Sequence, residues 1–274
     1  MAIYSFTFSP TGTSAAIARA ISEGITQSAG KAVTFSDLTS GGAGELSFGS
    51  DDLVLVTAPV YGGKITPMIK RRLEGVEGGG ARCVVVAVYG NRAFEHAAAD
   101  IAGFMTESGF RVCGAGAFVG EHSYSTPSAP IAEGRPDSLD LSDARTFGSQ
   151  IAARMIDDTL AEVDLSLLAD EPSPAEALDN FRTFVMEYQR QQAQERVVYL
   201  PEVDPTVCDD CGGCYAVCPT GAITPGSHEA DPALCIKCCA CVKSCPQGAR
   251  SFRSPFAPVL SANFARRKSP RWII

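Results

Sequence analysis

Two stretches in the last quarter of the chain set thiols at fixed steps: CDDCGGCYAVCP at residues 208–219 and CIKCCACVKSCP at residues 235–246. Each reads C-x2-C-x2-C-x3-C-P. The first supplies Cys208, Cys211, Cys214 and Cys218, the second Cys235, Cys238, Cys241 and Cys245. Nine of the 11 cysteines lie between 208 and 245; the others are Cys83 and Cys113. The opening MAIYSFTFSP lacks the basic and apolar regions of a secretory leader, so a cytoplasmic protein is expected. Disulfides would be out of place there, and metal binding is the natural chemistry. A zinc site wants two cysteine pairs far apart, closing one tetrahedron. Three thiolates at steps of three instead wrap one face of a cubane [4Fe–4S] cluster and leave the fourth ligand to come from elsewhere. Cys239 falls outside the spacing and is expected to be a small buried residue.

Over residues 201–254 the pattern resembles a bacterial two-cluster ferredoxin, Pro219 and Pro246 included. The resemblance implies two [4Fe–4S] clusters with crossed ligation. Cys208, Cys211, Cys214 and Cys245 would hold one, and Cys235, Cys238, Cys241 and Cys218 the other. Crossing explains the duplication, since each motif supplies the other's missing ligand. Short strands are expected around Ile223 and Ser251–Phe252. A segment this small buries too little core to stand alone, so the clusters should supply much of its folding energy. Four cysteines per cluster leave no open iron position, which points to one-electron transfer rather than cluster-based substrate chemistry.

The preceding two hundred residues alternate between strand and helix patterns. Strands are expected at 3–8, 33–35, 52–58, 82–88 and 111–119, the middle ones continuous apolar runs suited to burial on both faces. Helices are expected at 13–29, closed by Gly30, at 93–108, closed by Gly109, and at 142–161. This alternation predicts an α/β fold: a doubly wound parallel sheet with helices on both faces. Such sheets bind ligands beyond the carboxyl ends of their strands, so the loops after the first, third and fourth strands are the ones to read. The first is Ser9-Pro10-Thr11-Gly12-Thr13-Ser14, hydroxyl-rich and opening a helix, which suits a phosphate. It is neither a Walker A loop nor a dinucleotide G-x-G-x-x-G.

This loop has the [ST]-x-T-G-x-[ST] form of flavodoxins, and the first ~165 residues resemble that family. The resemblance implies a five-stranded sheet of order 2-1-3-4-5 and an FMN. Its phosphate would lie in the Ser9–Ser14 loop and its ring between Pro59-Val60-Tyr61-Gly62-Gly63 and Tyr89-Gly90-Asn91-Arg92. Each ring loop carries an aromatic for stacking and glycines that let backbone approach. Lys64 and Arg92 stand where short flavodoxins place acids, which would raise the flavin potential. The long loop 120–136 contains His122 and Tyr124, weak candidates for proton donation to, or packing on, a flavin or substrate.

The expected organisation is a flavodoxin-like domain at 1–165, a linker and bridging helix at 166–200 with Leu178, Phe181, Val185 and Tyr188 on one face, a ferredoxin domain at 201–254, and a tail at 255–274. The order resembles flavodoxin–ferredoxin fusion proteins of bacteria and archaea. Net charge is −8: −10 over residues 1–200, −2 over 201–254 and +4 over the tail, whose Arg266, Arg267, Lys268 and Arg271 are expected to be solvated. An acidic body argues against nucleic-acid binding, and no run of eighteen apolar residues exists to span a membrane. The expected function is relay of electrons between two clusters and FMN, exchanged with external redox protein partners. Alternatives are an FMN-dependent reductase fed by its own clusters, and a ferredoxin on a flavin-free scaffold.

Overall fold

A computed structural model describes all residues, Met1–Ile274. The chain divides into two compact units: residues 1–121, 134–171 and 267–274 form the first, and 122–133 with 172–266 the second. These units depart from the sequence boundaries: the first unit continues to residue 171, and the bridging helix and residues 255–266 group with the cysteine-rich unit. The tip of the long loop groups with the cysteine-rich unit, and the last eight residues group with the sheet.

The first unit is built on β1 (Ile3–Thr7), β2 (Thr34–Asp37), β3 (Leu53–Tyr61), β4 (Arg82–Tyr89), β5 (Arg111–Val119) and β6 (Arg271–Ile273). They lie in the order β6-β5-β4-β3-β1-β2, and the five-strand run β2-β1-β3-β4-β5 is parallel throughout. This is the doubly wound order 2-1-3-4-5. The central strands β3, β4 and β5 are apolar on both faces because both faces are covered. Phe6, Leu55, Val86 and Phe118 are essentially inaccessible. Helices α1 (Thr13–Ala29), α2 (Ala97–Glu107) and α3 (Ser138–Ile156) supply the cover. Ile17, Ile21 and Ile25 of α1 share one core cluster with Phe147 and Ile151 of α3 and Phe118 of β5. At Gly24 and Gly148 α1 and α3 approach so closely that an added Cβ would overlap the Arg145 and Ile21 carbonyls.

Two expectations for helix starts are corrected. Residues 93–96 form a turn before α2, held by the Asp170 carboxylate, which accepts the N–H groups of Phe94 (3.0 Å) and Glu95 (3.0 Å). Helix α3 begins at Ser138, four residues earlier than its apolar pattern indicates, because Asp137 and Asp140 form a reciprocal capping box.

The tail is not a solvated end. β6 pairs antiparallel with β5, setting Trp272 opposite Gly116. The indole stacks on Phe118 at 6.1 Å and donates to Gln150 Oε1 at 2.9 Å. Lys268 is 3% exposed; its ammonium donates to the Arg92 carbonyl (2.6 Å) and its N–H to Asn91 Oδ1 (3.2 Å). Arg267 pairs with Asp137 and Asp140.

The second unit joins an apolar helix pair to a duplicated cysteine fold. Helix α4 (Ala175–Gln194) packs on α5 (Ala257–Asn263) through Phe181 on Phe264 and through Phe184 and Tyr188 on Phe256. Ala129 and Ile131, from the tip of the long loop, are buried in the same cluster. In the cysteine fold the second motif repeats the first at an offset of 27 residues, Cys208 to Cys235. The backbone repeats with it. Cys208 N–H donates to the Asp204 carbonyl and Cys235 N–H to that of Asp231. Positive φ recurs at Asp210 and Lys237 and again at Gly212 and Cys239. A one-turn helix follows each time, Gly213–Ala216 and Ala240–Lys243. The strand pair is Glu202–Val203 with Arg250–Ser251. The strand expected around Ile223 is absent; Ile223 sits in a bend and is buried with Ala230 and Cys241.

Candidate functional site

The first cysteine arrangement draws on both motifs. Cys218 joins Cys235, Cys238 and Cys241 in lining one cavity, with Ile223, Ala230, Ile236 and Ala240 as apolar wall. The short helix after Cys239 carries Cys241 inward, while Cys218 reaches the cavity from the end of the first motif. Burial, with neighbouring thiols adding to it, pushes Cys238 up to about 12; burial, opposed by Arg250, pushes Cys241 up to about 11. Thiols kept protonated by burial become thiolates once a cation is present to compensate their charge. This donor set fits a sulfur-ligated metal cluster.

The last cysteine of each motif has a second distinguishing feature. Burial acts to raise the Cys218 thiol, yet the N–H groups of Thr220, Ile223 and Ala222 and the Thr220 hydroxyl outweigh it and hold the thiol below its ordinary value. Cys245 is treated likewise: its slight burial is outweighed by the N–H groups of Arg250, Ala249, Gln247 and Gly248. Each C-P turn therefore presents a nest of donors to its sulfur, which favours the thiolate. Of the remaining expected ligands, Cys208 and Cys214 are partly exposed and Cys211 is exposed. Cys208 Sγ instead lies beside Asp210 and His228, whose ligand atoms all fall within 4.8 Å of one another.

Cys239 also lines the cavity, 2% exposed, and its thiol donates to the Lys237 carbonyl at 3.7 Å. Its φ of 60° is the left-handed conformation that Gly212 adopts at the equivalent place.

The hydroxyl loop after β1 takes the form of a helix N-terminus. Gly12, with φ 87°, caps α1 without a side-chain bond. Ser9 Oγ accepts the Ala15 N–H at 2.9 Å, and Thr39 Oγ1 accepts the Ser9 N–H at 2.8 Å. The N–H groups of Thr13 and Ser14 precede the first intrahelical donor, the Ala16 N–H that reaches the Gly12 carbonyl at 3.0 Å, and point out of the helix. Ser14 Oγ is buried with no hydrogen-bond partner. A buried hydroxyl beside free helix-start N–H groups is a site that an anion completes, and a phosphate monoester fits it.

The two further loops are tied together. Gly62 and Gly63 both have positive φ, and the His96 N–H donates to the Gly63 carbonyl at 2.9 Å. Glu95 occupies the space a Gly63 side chain would need and pairs with Arg92 at 2.6 Å. Arg92 is thus not a free positive charge beside this loop, whereas Lys64 is exposed. Asn91, φ 65°, is buried and accepts the Lys268 N–H. Of the two aromatics, Tyr61 is partly exposed with Pro59 and Val60. Tyr89 is 2% exposed and packs edge-on against Phe94 at 5.6 Å, so it offers no face for stacking.

His122 and Tyr124 belong to the second unit, residues 122–133 with 172–266. His122 Nδ1 accepts the Tyr124 N–H at 3.0 Å. The Tyr124 ring contacts His122 and Phe252 at 4.7 and 5.1 Å. Burial, together with the Cys239, Cys235 and Cys238 sulfurs beside it, holds the Tyr124 phenol well above its ordinary value. Tyr124 therefore neighbours the second cysteine motif. Lys243, from that motif's helix, donates to the Ser125 carbonyl at 3.0 Å.

Comparisons with known proteins bear on both units. Residues 200–223 and 228–251 each match a family described as "4Fe-4S binding domain". The chain joins a flavodoxin-like sheet to two 4Fe-4S binding domains. Similar solved structures include a flavodoxin from the domain Archaea, 17% identical over 57% of this chain and 99% of that one, TM-score 0.36. A Streptococcus pneumonia flavodoxin is 19% identical over 56% and 99%, TM-score 0.40, and a flavone reductase 13% identical over 60% and 66%, TM-score 0.42. No curated protein matches the chain. The sheet assignment rests on strand order and register. The paired 4Fe-4S domains mark electron transfer as the general activity and imply redox partners. No helix is long and apolar enough to cross a membrane.

Proposed function

We propose that the protein relays single electrons between two [4Fe–4S] clusters and an FMN, exchanging them with external redox proteins. The observation that carries this reading is the convergence of Cys218 with Cys235, Cys238 and Cys241 on one cavity, the crossed set that a two-cluster arrangement requires. Cys208, Cys211, Cys214 and Cys245 are the complementary set. Each cluster, once bound, moves one electron at a time, and a flavin accepts electrons singly or in pairs.

The chain's residues do the holding and tuning. The N–H groups around Cys218 and Cys245 stabilise sulfur-borne negative charge. Ser14 Oγ and the Thr13 and Ser14 N–H groups would receive a flavin phosphate, with Ser9, Pro10, Thr11 and Gly12 shaping the loop. Pro59–Gly63 and Tyr89–Arg92 would border the ring, with Tyr61 rather than Tyr89 as the aromatic in reach and with backbone N–H groups near Gly62 and Gly63 as donors. The binding domain for FMN is the first unit, residues 1–121, 134–171 and 267–274.

Stepwise anaerobic reduction of the holo-protein, followed by visible absorbance and electron paramagnetic resonance, tests the proposal. Two cluster signals and a flavin signal that equilibrate with one another are expected. Clusters that reduce without any bound flavin would reduce the first unit to a scaffold and overturn the relay.

A further inference from the structure

The two halves of the cysteine fold share a backbone but not a surface. Cys238 and Cys241 are buried, and the helix between them and Lys243 is fixed to Ser125. The first motif lies open. Cys211 is exposed, and so are the apolar side chains within and beside it: Val207 (45%), Tyr215 (40%) and Val217 (37%). Soluble proteins scatter single exposed apolar residues, but three within eleven residues, around an exposed cluster cysteine, need a reason.

Charge is also unevenly spread along this fold. Residues 197–236 contain no Lys or Arg and six acids: Glu202, Asp204, Asp209, Asp210, Glu229 and Asp231, all exposed. Residues 237–254 contain four bases and no acid. Two of those bases are engaged internally, Lys243 on the Ser125 carbonyl and Arg250 on the His228 carbonyl. The overall balance of −2 thus conceals an acidic half, all of whose acids are exposed, and a basic half that holds the buried Cys238 and Cys241.

Electron transfer between proteins falls steeply with distance, so the exchange point must be where a cluster edge reaches the surface. Transient interfaces of this kind are small, with an apolar centre, and opposite charge around the rim speeds encounter. We infer that the face formed by residues 202–217 with Glu229 is the docking surface for an external one-electron carrier protein. That carrier presents basic residues around an apolar spot. A single electron passes between its redox centre and the cluster of Cys208, Cys211 and Cys214, with no bond made or broken and no proton moved. The second cluster then serves transfer within the molecule. This inference rests on the proposed relay.

The test uses holo-protein reduced with dithionite, freed of excess reductant, and mixed in stopped flow with ferricytochrome c, a basic one-electron acceptor protein. Wild type is compared with Glu202→Lys/Glu229→Lys, with Val207→Ser/Val217→Ser, and with Glu107→Lys/Glu162→Lys, which makes the same charge change on the first unit. Iron content and the resonance signals of both clusters are recorded for every sample. The expected result is a rate that falls with ionic strength in wild type and drops at least ~10-fold at low salt in the first variant. The apolar variant should slow by a factor that salt does not remove, and the distant reversal should stay near wild type. Equal slowing by the distant reversal, or wild-type rates in both docking variants with intact cluster signals, overturns the docking surface and leaves the relay standing. Absence of two reducible clusters in wild type overturns the relay and this inference with it.

Discussion

Single residues carry the sharpest tests because their chemistry was fixed by spacing or by an unmet bond. Ser14 Oγ is buried and has no partner within the chain. Ser14→Ala should therefore leave the melting temperature of the flavin-free protein unchanged or slightly higher, since an unmet hydroxyl is removed. The same change should weaken FMN binding roughly 5–10-fold, the worth of one hydrogen bond. Flavin fluorescence quenching measures the second effect and calorimetry the first; a large loss of flavin-free stability would assign Ser14 a structural role instead. Cys239 offers a complementary test. It occupies a left-handed position that Gly212 fills in the other motif, so Cys239→Gly relieves a backbone cost of about 1 kcal/mol. Iron and sulfide content should be unchanged in that variant and fall in Cys218→Ala. Iron loss from Cys239→Gly would make it a ligand. The cysteines were legible because ligand spacing is a one-dimensional signal. The Tyr89 expectation failed because residue type does not say which way a strand-end side chain points; its neighbour Phe94 folds back onto it through a turn organised by Asp170, 76 residues further along the chain.

At the level of elements, α1 and α3 meet backbone to backbone at Gly24 and Gly148. Gly148→Ala would gain ~1 kcal/mol of helix propensity on an isolated helix. Here the added Cβ meets the Ile21 carbonyl, and separating the helices should cost a net ~2–3 kcal/mol. A lowered Tm by roughly 5–10 °C is expected in thermal unfolding of the first unit; a raised Tm would show the contact to be loose. Most strands and α1 were legible from apolar runs and four-residue spacing. Helix α3's start was hidden because capping, not periodicity, sets it. β6 was hidden because three residues after an SP dipeptide give no strand signal; the β5 edge selects them. The approach to β6 is held by Arg267, whose hydrogen bond, aided by the Asp140 N–H, keeps Asp137 well below the ordinary carboxylate range. A carboxylate depressed in the folded state adds stability above its unfolded pKa of about 3.9, and that stability is lost as pH falls through the lower folded value. Trp272 is the only tryptophan. Its emission should hold between pH 7 and 5 and shift toward that of exposed indole below about pH 4, with Arg267→Ala shifting at higher pH than wild type. Identical acid profiles for the two proteins would detach Asp137 from the tail's anchorage.

The whole molecule contains two kinds of core. The sheet unit buries a continuous cluster from Ile3 to Leu160 that includes Phe118 and Phe147. In the second unit the α4–α5 pair has its own apolar cluster around Phe181 and Phe264. The cysteine fold has a small cluster of Ile223, Ala230 and Cys241, with Cys214, Cys235 and Val242 packed on them, and its other buried side chains are small or cysteine, such as Ala222, Cys238, Cys239, Ala240 and Ala249. Half of that cluster is cysteine and the large apolar side chains are few, so without metal this small segment buries little core. Cluster binding must then be folding energy for residues 200–251 and for little else. Stripping the iron with a chelator should open sites for limited proteolysis within 200–251 while leaving α4, α5 and the sheet resistant. Trp272, stacked on Phe118 in the first unit, should keep its native emission throughout. Loss of that emission in step with iron would mean the sheet depends on the clusters; full protease resistance of the iron-free segment would mean its small core suffices. Either result would break the link drawn here between where the cysteines sit and what holds that part of the chain together.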